Sequence, residues 1–215
     1  MVRQGLLAVV LASLGAIAAR ADALDDCAYK DGDEAIAGCT QAIHDDPTQA
    51  ALYYNRGMSY KGKGDSDRAI ADFTKAIELD PNYAGAYYNR AKLYTDKADS
   101  DRPKSSHAKV KREYDQAIAD YSKVIDLDPS NAAILLAKRA YDYYAEGDRA
   151  SAMQDYTKAL EIDPEKVPDA YLNRAALYEM QGDKERAIAD YRSYLALNPT
   201  DTDAQNSLLR LGVTP

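Results

Sequence analysis

A dipeptide of an acid (once asparagine) and proline returns along this chain at a nearly constant interval, and that recurrence limits the possible folds more than any other feature. The copies are Asp46-Pro47, Asp80-Pro81, Asp128-Pro129, Asp163-Pro164 and Asn198-Pro199, with prolines 34, 48, 35 and 35 residues apart. Proline lacks a backbone N–H and fixes φ, so each copy marks a place where a helix stops. Ahead of each stop runs one pattern. Ala69-Ile70-Ala71-Asp72-Phe73-Thr74-Lys75-Ala76-Ile77 returns as 117–125, 152–160 and 187–195. Apolar residues fall at i, i+1, i+4, i+7 and i+8, which is one stripe on an α-helix. A short unit recurring at this interval predicts a stack of helical hairpins, because no single hairpin buries its own apolar face.

After each proline comes a second helical pattern. Tyr53-Tyr54-Asn55-Arg56-Gly57 with Tyr60 is followed by Tyr87-Tyr88-Asn89-Arg90-Ala91 with Tyr94. Leu136 to Ala140 with Tyr143, and Tyr171 to Ala175 with Tyr178, complete the series. Gly64-Asp65, Gly147-Asp148 and Gly182-Asp183 join first to second helix, with glycine as the helix stop. Polar residues such as Asn82 and Ser130 are expected to cap the helix after each proline. The small residues Gly57, Ala91, Ala140 and Ala175 are expected at close helix crossings, facing Ala69, Ala117, Ala152 and Ala187.

Tyr53, Gly57, Tyr60, Ala69, Phe73, Ala76 and Pro81, with their three later copies, resemble the tetratricopeptide repeat (TPR). The resemblance covers 50–199 in four full copies. It implies an all-α superhelical array of helix-turn-helix hairpins whose inner, first-helix surface holds a protein ligand. A part-copy over 33–47 keeps Ala35, Ala42 and Pro47 but has Cys39 in the aromatic slot. Residues 200–215, with Leu208, Leu209 and Leu211, read as a solvating cap helix and tail. The expected organisation is therefore a leader over 1–21, a partial repeat over 22–47, four repeats over 48–199, and the cap.

The leader expectation rests on Arg3, the uncharged run from Gln4 to Ala19, and small residues at Ala19 and Ala21 ahead of Asp22. That is the pattern of a cleaved secretory signal, rather short for a membrane span, with an uncleaved anchor or a buried N-terminal helix as the alternative. It predicts a periplasmic or secreted protein with no integral span after cleavage. In an oxidising compartment Cys27 and Cys39 are read first as a disulfide, with buried free thiols as the alternative. There is no Cys-x-x-Cys, and His44 and His107 lack ligand spacing, so neither a redox nor a metal site is expected.

Residues common to every repeat are expected to hold the array together. Arg56, Arg90, Arg139 and Arg174 should pair with Asp72, Asp120, Asp155 and Asp190, within or between hairpins. Recognition should lie where copies differ. Groove candidates are Tyr54, Asn55, Tyr88, Asn89, Lys138, Tyr141, Tyr144 and Asn173, a mix of rigid aromatics and amides suited to an extended peptide or partner helix. Some TPR adaptors grip a carboxylate on this surface; only Asn89 and Lys138 match here, with Tyr54, Met58 and Ile134 in the other places. The second repeat also carries 14 surplus residues between Tyr94 and Ala117. This insertion, about 99–112, holds Arg102, Lys104, Lys109, Lys111 and Arg112, and can be either a loop or an extension of both helices.

The formal charge of −8 disfavours nucleic acid and anionic membranes as partners. No phosphate-cradling glycine loop, nucleophile elbow or zinc-protease motif occurs. The sequence thus predicts a non-catalytic, cofactor-free adaptor of the cell envelope that binds a protein or peptide. The alternative is a self-associating structural module of an envelope or secretion assembly.

Overall fold

The computed structural model describes residues 21–214, all helices and turns. The leader expected over 1–21 lies outside them, apart from its last residue. Backbone contacts divide the chain into two compact units, one reaching Leu93 and one starting at Tyr94.

In the first unit, residues 21–29 (α1) are helical, followed by α2 (Gly32–Asp45), α3 (Ala50–Gly62), α4 (Ser66–Leu79) and the start of α5 (Ala84–Asp101). The second unit holds the end of α5, then α6 (His107–Leu127) and α7 (Ala132–Glu146). It continues with α8 (Arg149–Ile162), α9 (Pro168–Gln181), α10 (Lys184–Leu197) and α11 (Thr202–Arg210). Consecutive helices pack as antiparallel neighbours, α3 on α4, α7 on α8 and α9 on α10.

The turns inside hairpins explain the Gly-Asp pairs. Gly64, Gly147 and Gly182 are left-handed, with φ of 77°, 107° and 79°, where a side chain is strained. The aspartate that follows caps the next helix: Asp65, Asp148 and Asp183 accept the N–H of Arg68, Ser151 and Arg186, each at 3.1 Å. Between hairpins, the aspartate ahead of proline does the corresponding work. Asp46, Asp80 and Asp128 accept the N–H of Thr48, Asn82 and Ser130 at 3.1, 3.0 and 3.0 Å. Asn82 and Ser130 are therefore donors in an aspartate-centred turn rather than side-chain caps.

Small residues stand at the close crossings. Ala91, Ala140 and Ala175 are fully buried, as are Ala69, Ala117, Ala152 and Ala187. A Cβ on Gly57 would lie 2.8 Å from the Phe73 ring. Gly38 does the same for the first hairpin, where a Cβ would stand 2.6 Å from Asp26 and 2.9 Å from the Ala23 carbonyl. Cys27 and Cys39 are joined as a disulfide across that crossing, with Cα atoms 4.4 Å apart. In the first unit Tyr53, Phe73, Ala86 and Leu93 form a core. In the second, Leu136, Tyr156, Leu160 and Leu177 form the largest cluster. The cap helix closes the last core, with Ala204 and Leu208 buried against Tyr191 and Tyr194.

Candidate partner-binding face

Arg56, Arg139 and Arg174 and the aspartates that face them are structural. Arg56 reaches Asp72 with two bonds of 2.8 Å, Arg139 reaches Asp155 at 2.6 and 2.8 Å, and Arg174 reaches Asp190 at 2.7 and 2.8 Å. The remaining guanidinium nitrogen turns to the preceding hairpin. It donates to Thr40 from Arg56, Thr74 from Arg90, Ser122 from Arg139 and Thr157 from Arg174, at 2.8–3.2 Å. Thr40, Thr74 and Ser122 spend their own proton on the carbonyl four residues back, leaving a lone pair for the arginine. This hydroxyl, always the residue after the second-helix aromatic or Cys39, extends the Arg56, Arg139 and Arg174 pairs into ties between hairpins. It recurs visibly in the sequence as Thr40, Thr74, Ser122 and Thr157, yet the Arg–Asp reading alone does not find it.

Several groove candidates are engaged in packing. Tyr54 stands edge-on to Tyr83, with centroids 4.9 Å apart, and tilts against Phe73 at 5.7 Å. Asn89 is buried, donates to the Gly85 carbonyl at 2.9 Å and the Tyr54 hydroxyl at 3.2 Å, and accepts from Lys61 at 2.6 Å. Its amide is committed inside the first unit. Tyr88 and Asn173 are half-buried. Asn55 lines an open cleft of about 400 Å³ with Cys27, Lys30, Met58 and Lys63.

In the second unit Tyr141 is partly exposed and donates to Asp99 at 2.9 Å, while Tyr144 packs against the main core and Lys138 is half-buried. The insertion is a lengthening of both helices: α5 and α6 run 18 and 21 residues, joined by a short turn. Ala98, Val110 and Tyr114 pack its interior. Three of its five cations are tied within the unit. Arg102 contacts Asp99 at 3.1 Å and the Tyr114 hydroxyl, Lys109 pairs with Asp101, and Lys111 pairs with Asp115 at 3.1 Å and with Glu146. Lys104 and Arg112 are exposed.

One residue was not singled out from sequence. Asp142 is fully buried, in the first-helix slot that the neighbouring repeats fill with Leu93 and Leu177. Its Oδ1 accepts from Thr95 at 2.9 Å, while Oδ2 has no hydrogen-bond partner. Burial, reinforced by Asp99 and Asp96 and opposed by Thr95 and Lys138, pushes its carboxyl up to about 8. Comparing the repeats slot by slot is the signal that finds it.

Among the described residues no group of three or more His, Cys, Asp or Glu side chains could hold a metal ion, and no helix is long and apolar enough to cross a membrane. Tetratricopeptide-repeat profiles match 50–83, 73–119, 111–131, 140–182 and 168–201, most of the repeat region. No curated protein sequence matches significantly. Among solved structures, MamA is similar at 22% identity and a TM-score of 0.69, over 86% of this chain and 94% of that one. MamA from Desulfovibrio magneticus RS-1 is similar at 18% identity and 0.67, over 86% and 96%. The C-terminal part of a TPR protein from Cytophaga hutchinsonii is similar at 25% identity and 0.65, over 81% and 66%. The hairpins, their punctuation and these profile matches agree: the chain belongs to the tetratricopeptide-repeat family.

Proposed function

We propose that this protein is an envelope scaffold that works by associating with further copies of itself. The supporting observation is where large apolar side chains remain exposed. Among the described residues, Leu24 and Tyr29 stand out on α1, and Met180, Leu197 and Leu209 on the last hairpin and cap helix, leaving only Met58, Tyr141 and Ile162 between. Apolar side chains gathered at the terminal elements, on a fold whose work is protein contact, favour copy-to-copy association there. The repeated similarity to MamA structures, each covered over more than nine-tenths of its length, supports a repeat scaffold of this size. The disulfide favours an oxidising compartment, consistent with export. Light scattering across a hundredfold concentration range is the test. Mass should rise with concentration, and Tyr29→Ser with Leu209→Ser should hold the chain monomeric. A monomer at every concentration would end the proposal.

A second reading, capture of a peptide or partner helix on the first-helix surface, is favoured by the cleft beside Asn55 and Met58. It predicts a monomer that binds through that cleft, so Met58→Glu would abolish capture without changing mass.

A further inference from the structure

We propose that the contact of α5 with α7 is a proton-dependent joint, closed when the Asp142 carboxyl carries a proton and opening with release of that proton. The geometry comes from a break in the repeat. Where Leu93 and Leu177 fill their slot with apolar carbon, Asp142 puts a carboxyl with no exposed surface in the same place. Oδ1 accepts from Thr95 of α5, and Oδ2 has no hydrogen-bond partner. An ionised carboxylate there would lack the hydrogen bonds that make a buried charge tolerable.

The surroundings offer little compensation. From α5, Asp96 and Asp99 add negative charge, and Asp99 is already held by Arg102, Tyr114 and Tyr141. From α7, the Lys138 cation draws the carboxyl down, and Tyr141 adjoins it. From α8, the buried Tyr156 hydroxyl feels Asp142 most among its neighbours and makes no hydrogen bond of normal geometry, although Asn173 lies close. The neutral acid is therefore the form the closed joint accepts, in keeping with its upward displacement to about 8. In an opened joint the carboxyl meets water and returns to the ordinary range near 3.9.

The sign follows from linkage. Between about pH 4 and pH 8 the open form has lost the proton and the closed form has kept it, so alkali favours opening. The opening equilibrium should rise by up to about tenfold per pH unit and level off near the closed-state midpoint. Acidification tightens the joint. Tyr141 and Tyr144, on either side of Asp142 in α7, would then be held by the same proton.

Amide hydrogen exchange of 94–101 and 132–146, corrected for intrinsic rates between pH 5 and pH 9, reads the opening directly. The unsubstituted chain should lose protection as pH rises and then level off. Asp142→Asn, which keeps the shape without titrating, should give a flat profile, and Asp96→Asn should keep the slope. Equal slopes in Asp142→Asn and the unsubstituted chain would overturn the proposal. Carboxyl carbon NMR of Asp142 in the unsubstituted chain decides the matter even if that variant fails to fold: a midpoint below pH 5 would also overturn it.

Discussion

Arg56, Arg139 and Arg174 are each placed to do two jobs, and substitutions separate them. Arg139 binds both oxygens of Asp155 and reaches Ser122 on the preceding hairpin, with 19% of its side chain exposed. Removing the carboxylate by Asp155→Ala leaves a largely buried guanidinium with one neutral partner. The expected loss is about 2–3 kcal/mol, the scale of hydrogen bonds to charged groups, read by urea denaturation. Ser122→Ala removes only the tie between hairpins and should cost about 1 kcal/mol. Equal losses would mean that the tie matters as much as the ion pair. Gly57 makes the opposite point. Alanine there gains up to about 1 kcal/mol of helix propensity, but its Cβ meets the Phe73 ring at 2.8 Å. Ala140 and Ala175 fill the same slot opposite Tyr156 and Tyr191, so the crossing accepts a methyl once the ring moves slightly. Gly57→Ala should therefore change stability by less than about 1 kcal/mol, whereas a larger side chain should overpack the crossing.

At the scale of elements, the N-terminal hairpin depends on its covalent link more than the full repeats do. Residues 21–29 carry none of the recurrent arginines, and Gly38 occupies the second-helix slot where the full repeats place aspartate. The Arg–Asp pair is thus missing, and the disulfide across 12 residues takes its place. Cys27→Ser with Cys39→Ser should cost about 2–4 kcal/mol, confined to this hairpin. Limited proteolysis should then cut within 21–45 and spare the helices from Ala50 onward; cleavage throughout would show the hairpin to be integral to the unit. Sequence reading found the hairpins because proline, Gly-Asp and the small crossing residues are local requirements that recur along the chain. It left the insertion open for a physical reason. Pro103 and the two serines break a helix in either arrangement, and helicity on both sides comes from Ala98, Val110 and Tyr114 packing together. It passed over Asp142 because one more acid in an acidic chain is ordinary until its slot is compared with Leu93 and Leu177.

At the scale of the molecule, an array of like hairpins needs a signal for where stacking ends, since each second helix is a template for the next first helix. Here the signal is built from two parts. After Tyr191, in the slot where Thr40, Thr74, Ser122 and Thr157 each accept an arginine, stands the exposed Arg192, which would repel the arginine of any further hairpin. Over the remaining apolar face lies α11, capped by Asp201 through the N–H groups of Asp203 and Ala204 at 3.1 and 2.9 Å. Its Leu208 is fully buried, and Arg210 leans on Glu179 at 3.3 Å. Copies that associate would therefore meet on the outer side of this helix, where Leu209 is 55% exposed, rather than by continuing the stack. Deleting the chain from Thr200 onward separates these alternatives. The truncated protein loses the burial of Ala204 and Leu208 and uncovers Tyr191 and Tyr194, a loss of about 3 kcal/mol from apolar area, or a melting point lower by roughly 6–12 °C. Arg192 should keep the bared face from stacking in order, so the product should aggregate without a defined mass. A second deletion carrying Arg192→Thr restores the acceptor slot and should shift the population toward discrete oligomers in light scattering. If the two truncations behave alike, the ending of the array rests on α11 alone and Arg192 plays no part in it.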